Sequence, residues 1–539
     1  MFFSLVLITL SINITSIEIY DDRFAIGIVH DNGQIQRAYS LPTTIAIWNE
    51  NNFSFFDNNS WTYESINCSN FSFFEEAQRY ALDHPENTIT SVFPLSGTQK
   101  GMKNTFLFAL LLDRAYSQFG YNRKIELVFS VPNNMSFTER YLLQEVAEVI
   151  GVPLKAIVDQ TYAMSSMYLQ KYIDRYYSTR NAIFVRLDQD YTWYSSFEIS
   201  QRTGRKTSAQ FAMDYELVGT RFLDDQFAKI LTAATGYNDI PFLRNSIIKV
   251  SNIWKSDKPM WLMFDGNNIT IQFNENDVNI SRIHRILENI AKYAEEFDTT
   301  FLFITGKYAK LEPIRQYLKN LNPKFDILAE NYAFSGIESV CQSSNRGGQV
   351  YNPENSVYFK TKSNLYQIVR NVDSNNFRYV INITIEDSYN CSLLQNNNTI
   401  VSFHFDIPNF AKPDENITLT FGIDMFTQPT LLKATLRDFN LQIIPDFLPF
   451  MMSQDEFNNT VTILHDFANI TSTRRRAEKI KRYERRLELQ KLIDSGVDIE
   501  RLPNREENMK IMKENFTDVA PKPTPKPKKK KVFLYNEEL

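Results

Sequence analysis

The sequence predicts a multidomain fold: an α/β region first, then a β-sandwich, then a C-terminal helical segment. Three observations carry that expectation. Between residues 17 and 345, strand-like runs alternate with amphipathic helices. After a Gly/Asn/Pro-rich linker at 346–356, short β-rich runs recur at regular spacing from 357 to 447. From Ser453 the chain becomes helical behind a Ser453/Glu456 capping box, and dense in Arg, Lys and Glu. A chain of 539 residues exceeds one ordinary core, so separate domains are expected.

In order, Ile17 to Val29 reads as two strands around the acidic turn Asp21-Asp22. Residues 51–70 form an Asn/Phe/Ser-rich insertion. Phe74, Ala77, Ala81 and Leu82 share a helical face, and His84-Pro85 ends that helix because proline disfavours αR in the residue before it. Thr88 to Phe93 alternates like a strand. Met102 to Phe119 is an apolar helix, and Lys124 to Val131 a strand. Ser136 and Glu139 make a capping box for a helix that stops at Gly151. Asn181 to Ser200 reads as a hairpin. Ala209 to Leu231 and Thr300 to Leu318 each read as strand, turn and helix. The runs Leu365–Arg370, Arg378–Ile385, Ile400–Ile407, Ile417–Met425 and Leu431–Leu436 form the sandwich signature.

Several of these stretches resemble the seventy-kilodalton heat-shock chaperones, the heat shock protein 70 family. In Phe74–Gly97 the matches are Ala77, Pro85, Asn87, Thr88, Leu95 and Gly97, and Val131–Leu169 aligns without a gap. Ile17–Val29 is similar to the family's first phosphate loop, most closely that of its large lumenal branch (glucose-regulated, hypoxia up-regulated). The resemblance implies an actin-like, two-lobed ATPase-type domain over 17–345, a substrate-binding-type β-sandwich over 357–447, and a helical lid over 453–515. It also implies that Pro132 and Arg140 couple nucleotide state between domains. Gly219 and Gly306 match glycines of the nucleotide site, and Glu18 is the vestige of its aspartate.

The departures from the family pattern fall on the chemistry. Glu18 stands at an aspartate position, Tyr20 at a glycine and Asp21 at a hydroxyl residue. The second phosphate loop aligns with Arg186-Leu187-Asp188-Gln189-Asp190-Tyr191-Thr192-Trp193, in which the three glycines and both acids are replaced. Phe93 holds the place of the lysine that positions the γ-phosphate, and Gln160 that of a metal-organising glutamate. Phosphates need backbone N–H groups that approach closely and a neutralising cation, so these loops are expected to hold no cofactor. ATP with magnesium enters only under an alternative in which Asp21, Asp188, Asp190 and Lys307 act instead.

Composition bounds the rest. Hydrophobic residues at 43%, with 42 Phe and 27 Tyr, favour packed cores over disorder. A net charge of −5 gives no case for nucleic acid, and the five scattered histidines show no metal-ligand spacing. The basic cluster at 473–489 is interleaved with glutamates and reads as a solvated helix.

Residues 1–16 read as a secretory signal too short to span a bilayer. Sequons follow at Asn52, Asn58, Asn67, Asn70, Asn134, Asn268, Asn279, Asn382, Asn390, Asn397, Asn416, Asn458, Asn469 and Asn515. Residues 516–539 form a disordered tail, rich in Pro and Lys, whose last four residues, Asn536-Glu537-Glu538-Leu539, resemble a retrieval signal. These features together predict the endoplasmic reticulum lumen. Cys68 and Cys391 lie inside sequons, so no bridge among Cys68, Cys341 and Cys391 is expected.

The expectation is a lumenal chaperone or co-chaperone that assists folding without ATP hydrolysis. It would hold unfolded polypeptides or serve as nucleotide-exchange partner of an active lumenal heat-shock chaperone. An ATP-dependent chaperone and a secreted adhesive glycoprotein are the alternatives.

Overall fold

The computed structural model describes residues 13–30, 35–47, 71–83, 88–133, 135–171, 179–202, 205–235, 260–264, 267–271, 278–330, 357–369, 378–395, 397–423, 429–447 and 452–495, with 508, 511 and 512. The insertion at 51–70, the linker at 346–356 and the tail at 516–539 lie outside them. The chain forms a mixed α/β multidomain structure in two compact units, Met1–Val461 and Thr462–Leu539.

In the first unit, two five-stranded sheets repeat one topology. β1 (Ile14–Ile19), β2 (Arg23–Val29) and β3 (Ile35–Pro42) form an antiparallel meander. β4 (Leu127–Val131) and β5 (Leu154–Asp159) join in parallel on the other side of β1, giving β5-β4-β1-β2-β3. The second meander is β6 (Thr179–Leu187), β7 (Thr192–Arg202) and β8 (Arg205–Glu216). β9 (Phe301–Gly306) and β10 (Asp326–Glu330) add in parallel, giving β10-β9-β6-β7-β8.

The crossovers match as well. Helices α1 (Phe74–Asp83) and α2 (Asn104–Phe119) lie between β3 and β4, α3 (Phe137–Val149) between β4 and β5, and α4 (Gln160–Lys171) follows β5. In the second half α5 (Arg221–Thr235) and α6 (Ser281–Glu296) precede β9, and α7 (Glu312–Leu321) joins β9 to β10. Parallel neighbours require such crossovers, because a hairpin cannot return the chain in the same direction.

The central strands explain where the cores sit. Every residue of β1 is buried, as expected of a strand covered on both faces. α4 brings Ala163, Met164 and Tyr168 into a core shared by both sheets, with Val29 and Val128 from the first and Phe184 and Phe303 from the second. On the far side of the second sheet, α5, α6 and α7 bury Leu223, Ile283, Leu287 and Ile314. α2 sets Phe108 edge-on to Phe24 at 5.8 Å between ring centroids.

The β-sandwich packs two antiparallel sheets. One holds β11 (Val357–Lys360), β12 (Leu365–Val369), β14 (Cys391–Gln395), β15 (Asn398–Asp406) and β19 (Gln442–Phe447), in the order β12-β11-β14-β15-β19. The other runs β13-β16-β17-β18, from Arg378–Thr384, Asn416–Ile423, Pro429–Leu436 and Phe439–Asn440. Alternating inward residues such as Phe359, Leu393, Phe403, Ile417 and Phe421 fill the space between them.

The sandwich is joined to α3. Phe137 belongs to the sandwich core, and its N–H donates to Gln395 Oε1 at 3.1 Å. Further along α3, Glu145 Oε1 accepts the Met452 N–H at 2.7 Å. Lys103, just ahead of α2, pairs with Glu456 at 2.8 Å.

α8 (Gln454–Asp494) opens with the expected capping box: Ser453 N–H donates to Glu456 Oε2, and Glu456 N–H to Ser453 Oγ. Its continuation in the second unit is mostly exposed along 481–495, with Leu489 buried. Among the described residues no helix is long and apolar enough to cross a membrane.

Boundaries differ from the sequence reading in several places. Ile14, Thr15 and Ser16 are buried in β1, inside the stretch read as a secretory signal. The expected strand at 88–93 is regular only over Thr88–Ile89. Beyond it, Ser91 Oγ donates to the Asp21 carbonyl and accepts the Phe93 N–H, so the backbone is held by turns rather than a ladder. α2 starts at Asn104 because Met102–Lys103 pairs with Thr98–Gln99, and β4 starts at Leu127.

Candidate functional site

The turns that follow β1 and β6 face one another across a cleft of about 590 Å³ in the first unit. The β1–β2 turn contributes Tyr20, Asp21 and Asp22, and the β6–β7 turn Gln189, Asp190 and Tyr191. Phe93 and Pro94 come from the loop after Ile89, Glu139 from α3, and Arg221 from the start of α5. Strand ends at a meeting of two open α/β sheets are a common place for ligands.

Beneath the cleft, Arg186 on β6 is 1% exposed and holds the floor together. Its Nη1 donates to Glu18 Oε1 at 2.5 Å, its Nε to Asp188 Oδ1 at 2.8 Å, and its guanidinium lies 4.4 Å from the centroid of the Tyr20 ring. Burial alone would lower the Arg186 pKa, but Asp188, Tyr20 and Glu18 hold it well above its ordinary value. A permanent cation therefore sits between the two acids, bonded to both from the planar fork that only arginine offers.

The other charges close on each other too. Arg221 forks onto Asp190 at 2.6 and 2.5 Å. Arg23 forks onto Asp22 at 3.0 and 3.2 Å; burial would raise the Asp22 pKa, yet Arg23 and Lys307 hold it below the usual carboxylate range. Lys307 donates to Asp224 at 2.6 Å, where the Tyr308 hydroxyl also bonds. Burial lowers the Lys307 pKa against that carboxylate. Lys307 is consumed inside the fold and is not presented to the cleft.

Two backbone N–H groups at the start of α5 are occupied. The N–H groups of Thr220 and Arg221, at the start of α5, donate to the carbonyls of Asp188 and Gln189 at 2.8 and 2.9 Å, and Thr220 Oγ1 bonds the Asp188 carbonyl as well. Helix N-termini bind anions through such free N–H groups, and these two are spent on the protein's own turn.

The sequence-marked residues divide into two sets. Glu18, Gly219 and Gly306 converge on the segment from Leu187 to Gln189 and its neighbour Arg186. A Cβ on Gly219 would meet the Gln189 carbonyl oxygen at 2.2 Å; one on Gly306, where φ is +126°, would meet the Leu187 carbonyl oxygen at the same distance. These glycines are required by close backbone packing. Pro132 lines the cleft. Arg140 does not: fully buried, it pairs with Asp159 and donates to the Met135 carbonyl at 3.3 Å, fixing the entry to α3.

Among the expected replacements, Phe93 lines the cleft and packs on Phe108 at 5.2 Å. Gln160 Nε2 donates to the Ile19 carbonyl at 2.7 Å, tying α4 to β1, and Trp193 stacks on Tyr215 at 4.7 Å. The sequence reading missed Arg186 as a bridge, and Arg221 and Glu139 as cleft residues. Arg221 carried a signal: a cation in the first turn of a helix opposes the macrodipole and calls for an acidic partner. Glu139 was read only as a helix cap, yet its Oε1 also accepts the Leu95 N–H at 2.9 Å.

The donor set does not suit magnesium with a triphosphate. Glu18 and Asp188 are bonded by Arg186, Asp22 by Arg23 and Asp190 by Arg221, leaving Asp21 with no such partner. Among the described residues no group of three or more His, Cys, Asp or Glu is placed to hold a metal ion. No protein-family model matches the chain, and no curated protein matches it.

Proposed function

We propose that the protein is a lumenal chaperone-like member of the heat-shock seventy-kilodalton family that works on unfolded polypeptides without hydrolysing ATP. Under this reading the two sheets are the lobes of an actin-like ATPase-type domain, the sandwich is its substrate-binding partner, and α8 begins a helical lid. The repeat of one five-stranded topology in both sheets supports the two-lobed assignment. The observation that carries the loss of hydrolysis is Arg186, bonded between Glu18 and Asp188 where a nucleotide enzyme would keep acids free for a metal's water shell.

Lumenal residence belongs to the same proposal. Sequon asparagines Asn279, Asn382, Asn390, Asn397, Asn416 and Asn458 are all exposed, which suits glycan attachment. Endoglycosidase sensitivity of the protein made in cells, and its release to the medium when Leu539 is changed, are the expected outcomes.

Calorimetry of the purified chain with Mg-ATP and Mg-ADP tests the reading, alongside a light-scattering assay of aggregating, unfolded protein. Suppressed aggregation, unchanged by ATP and with no nucleotide binding below millimolar, is expected. Restoring Phe93→Lys alone should not bring back turnover, because the loops still cannot seat phosphates. Mg-dependent hydrolysis by the wild-type chain, lost on Asp190→Ala, would overturn it.

A further inference from the structure

The second sheet of the sandwich carries one tripeptide twice. Asn382-Ile383-Thr384 lies on β13 and Asn416-Ile417-Thr418 on β16, and both are acceptor sequences for N-glycosylation. The antiparallel ladder sets them in mutual register: Asn382 opposite Thr418, Ile383 opposite Ile417, Thr384 opposite Asn416. Strand alternation buries both isoleucines in the sandwich core and leaves both asparagines exposed, with the two threonines on the same outer face. The asparagines are diagonal neighbours there, roughly 7–8 Å apart.

Asparagine is depleted in strands, so two at mirrored positions of one ladder run against local preference. Thr418 Oγ1 donates to Asn382 Oδ1 at 2.8 Å. That bond uses the amide oxygen and not Nδ2, the atom to which a glycan is attached. β13 is also an edge: among the described residues it pairs with β16 alone. Val380, two residues before Asn382 on the same face, is 56% exposed. An uncovered edge strand with exposed apolar residues is a template for pairing with other chains.

We propose that Asn382 and Asn416 carry neighbouring N-linked glycans, which cover this face and keep β13 from pairing with other chains. In the transfer, each Asn Nδ2 bonds to C1 of a lipid-pyrophosphate-linked oligosaccharide. The C1–O bond to the pyrophosphate breaks, the lipid pyrophosphate leaves, and the amide gives up one proton. Bulky, solubilising sugar then lies beside the edge. Glycan transfer presupposes the lumenal residence proposed above, where the chain would meet this donor.

The full-length protein is made in eukaryotic cells and stripped by peptide-N-glycosidase in heavy-oxygen water, which turns each occupied asparagine into a heavy aspartate. Mass spectrometry of the tryptic peptide 379–433, which holds both sites, should find Asn382 and Asn416 converted together. The double variant Asn382→Gln/Asn416→Gln should aggregate, by light scattering, at a several-fold lower concentration than wild type. Asn279→Gln, which removes an exposed sequon from another element, should not. Adding Val380→Lys to the double variant places a charge on the bare edge and should restore solubility, a rescue that a misfolded chain would not show.

Heavy aspartate at no sequon overturns the lumenal reading and the paired glycans with it. Conversion at other sequons, but not at Asn382 and Asn416 together, overturns the paired glycans alone. Joint conversion overturns the edge role of the sugars if the double variant is as soluble as Asn279→Gln, or if Val380→Lys does not relieve its aggregation.

Discussion

Arg186 and Glu18 stand 168 residues apart in sequence and form an ion pair of 2.5 Å in which neither side chain is more than 1% exposed. The pair joins β6 of one sheet to β1 of the other, and Asp188 extends it into a triad. Buried ion pairs gain little net stability over an apolar replacement, but removing one partner strands the other. Arg186→Met should therefore lower stability by about 3–5 kcal/mol, since it leaves two buried carboxylates without their cation. Urea denaturation followed by tryptophan fluorescence measures this. Arg186→Lys should recover only part of the loss, because an ammonium cannot fork onto both acids. A wild-type midpoint in Arg186→Met would show that the triad does not hold the sheets.

The two retained glycines test whether backbone packing or nucleotide explains them. Gly219→Ala forces a Cβ to 2.2 Å from the Gln189 carbonyl oxygen in the β6–β7 turn, Gly306→Ala to 2.2 Å from the Leu187 carbonyl oxygen at the end of β6, and Gly306 adds a positive φ. Each should cost more than about 3 kcal/mol in the ligand-free protein, as steric clash with backbone and φ strain allow little relaxation. Thermal unfolding without nucleotide checks it. Unchanged stability would return these glycines to a role in ligand binding.

Two acids predict how stability follows pH. Burial comes first among the causes that raise Asp21 and Glu145 to about 7, from ordinary values of 3.8 and 4.5. Between those limits the folded chain holds more protons than the unfolded chain, so stability falls as pH rises through the window and levels above it. Asp21→Asn and Glu145→Gln remove that slope. Each should be more stable than wild type at pH 8 by about 1–3 kcal/mol, the usual cost of a buried polar group left unsatisfied, and equal to it near pH 4. Gln at 145 keeps an acceptor for the Met452 N–H, so the contact itself is preserved. A gain that is the same at both pH values would place the effect in packing.

How much of this was legible in the sequence follows from where each signal is written. β1, β2 and the sandwich strands were read from alternation and apolar runs, which are local. The capping boxes at Ser136 and Ser453 were equally local, and both are present. Arg186 was read as the loss of an aspartate, because its partners Glu18 and Tyr20 lie in a different sheet and no spacing connects them. Tyr20 was read as an obstruction at a glycine position; its ring also covers the guanidinium. The strand expected at 88–93 failed because Ser91 spends its hydroxyl on the Asp21 carbonyl and the Phe93 N–H, a contact across seventy residues.

The join between α3 and the sandwich gives the last prediction. Phe137 is 1% exposed, in a core with Val357, Phe359 and other sandwich residues, and its N–H bonds Gln395 across the join. The same helix lines the cleft through Glu139 and anchors Arg140 on Asp159, so α3 belongs to both parts at once. Truncating a buried phenylalanine typically costs about 3–5 kcal/mol. Here the loss falls on the contact between sandwich and α3 as well as on either core. Phe137→Ala should thus split a single calorimetric transition into two, the sandwich unfolding first, while the Arg186 triad continues to hold the α/β sheets. Gln395→Leu should weaken the join less, because it removes one hydrogen bond and leaves the ring in place. A single transition, shifted downward as a whole in Phe137→Ala, would mean that sandwich and sheets unfold together through contacts other than this ring.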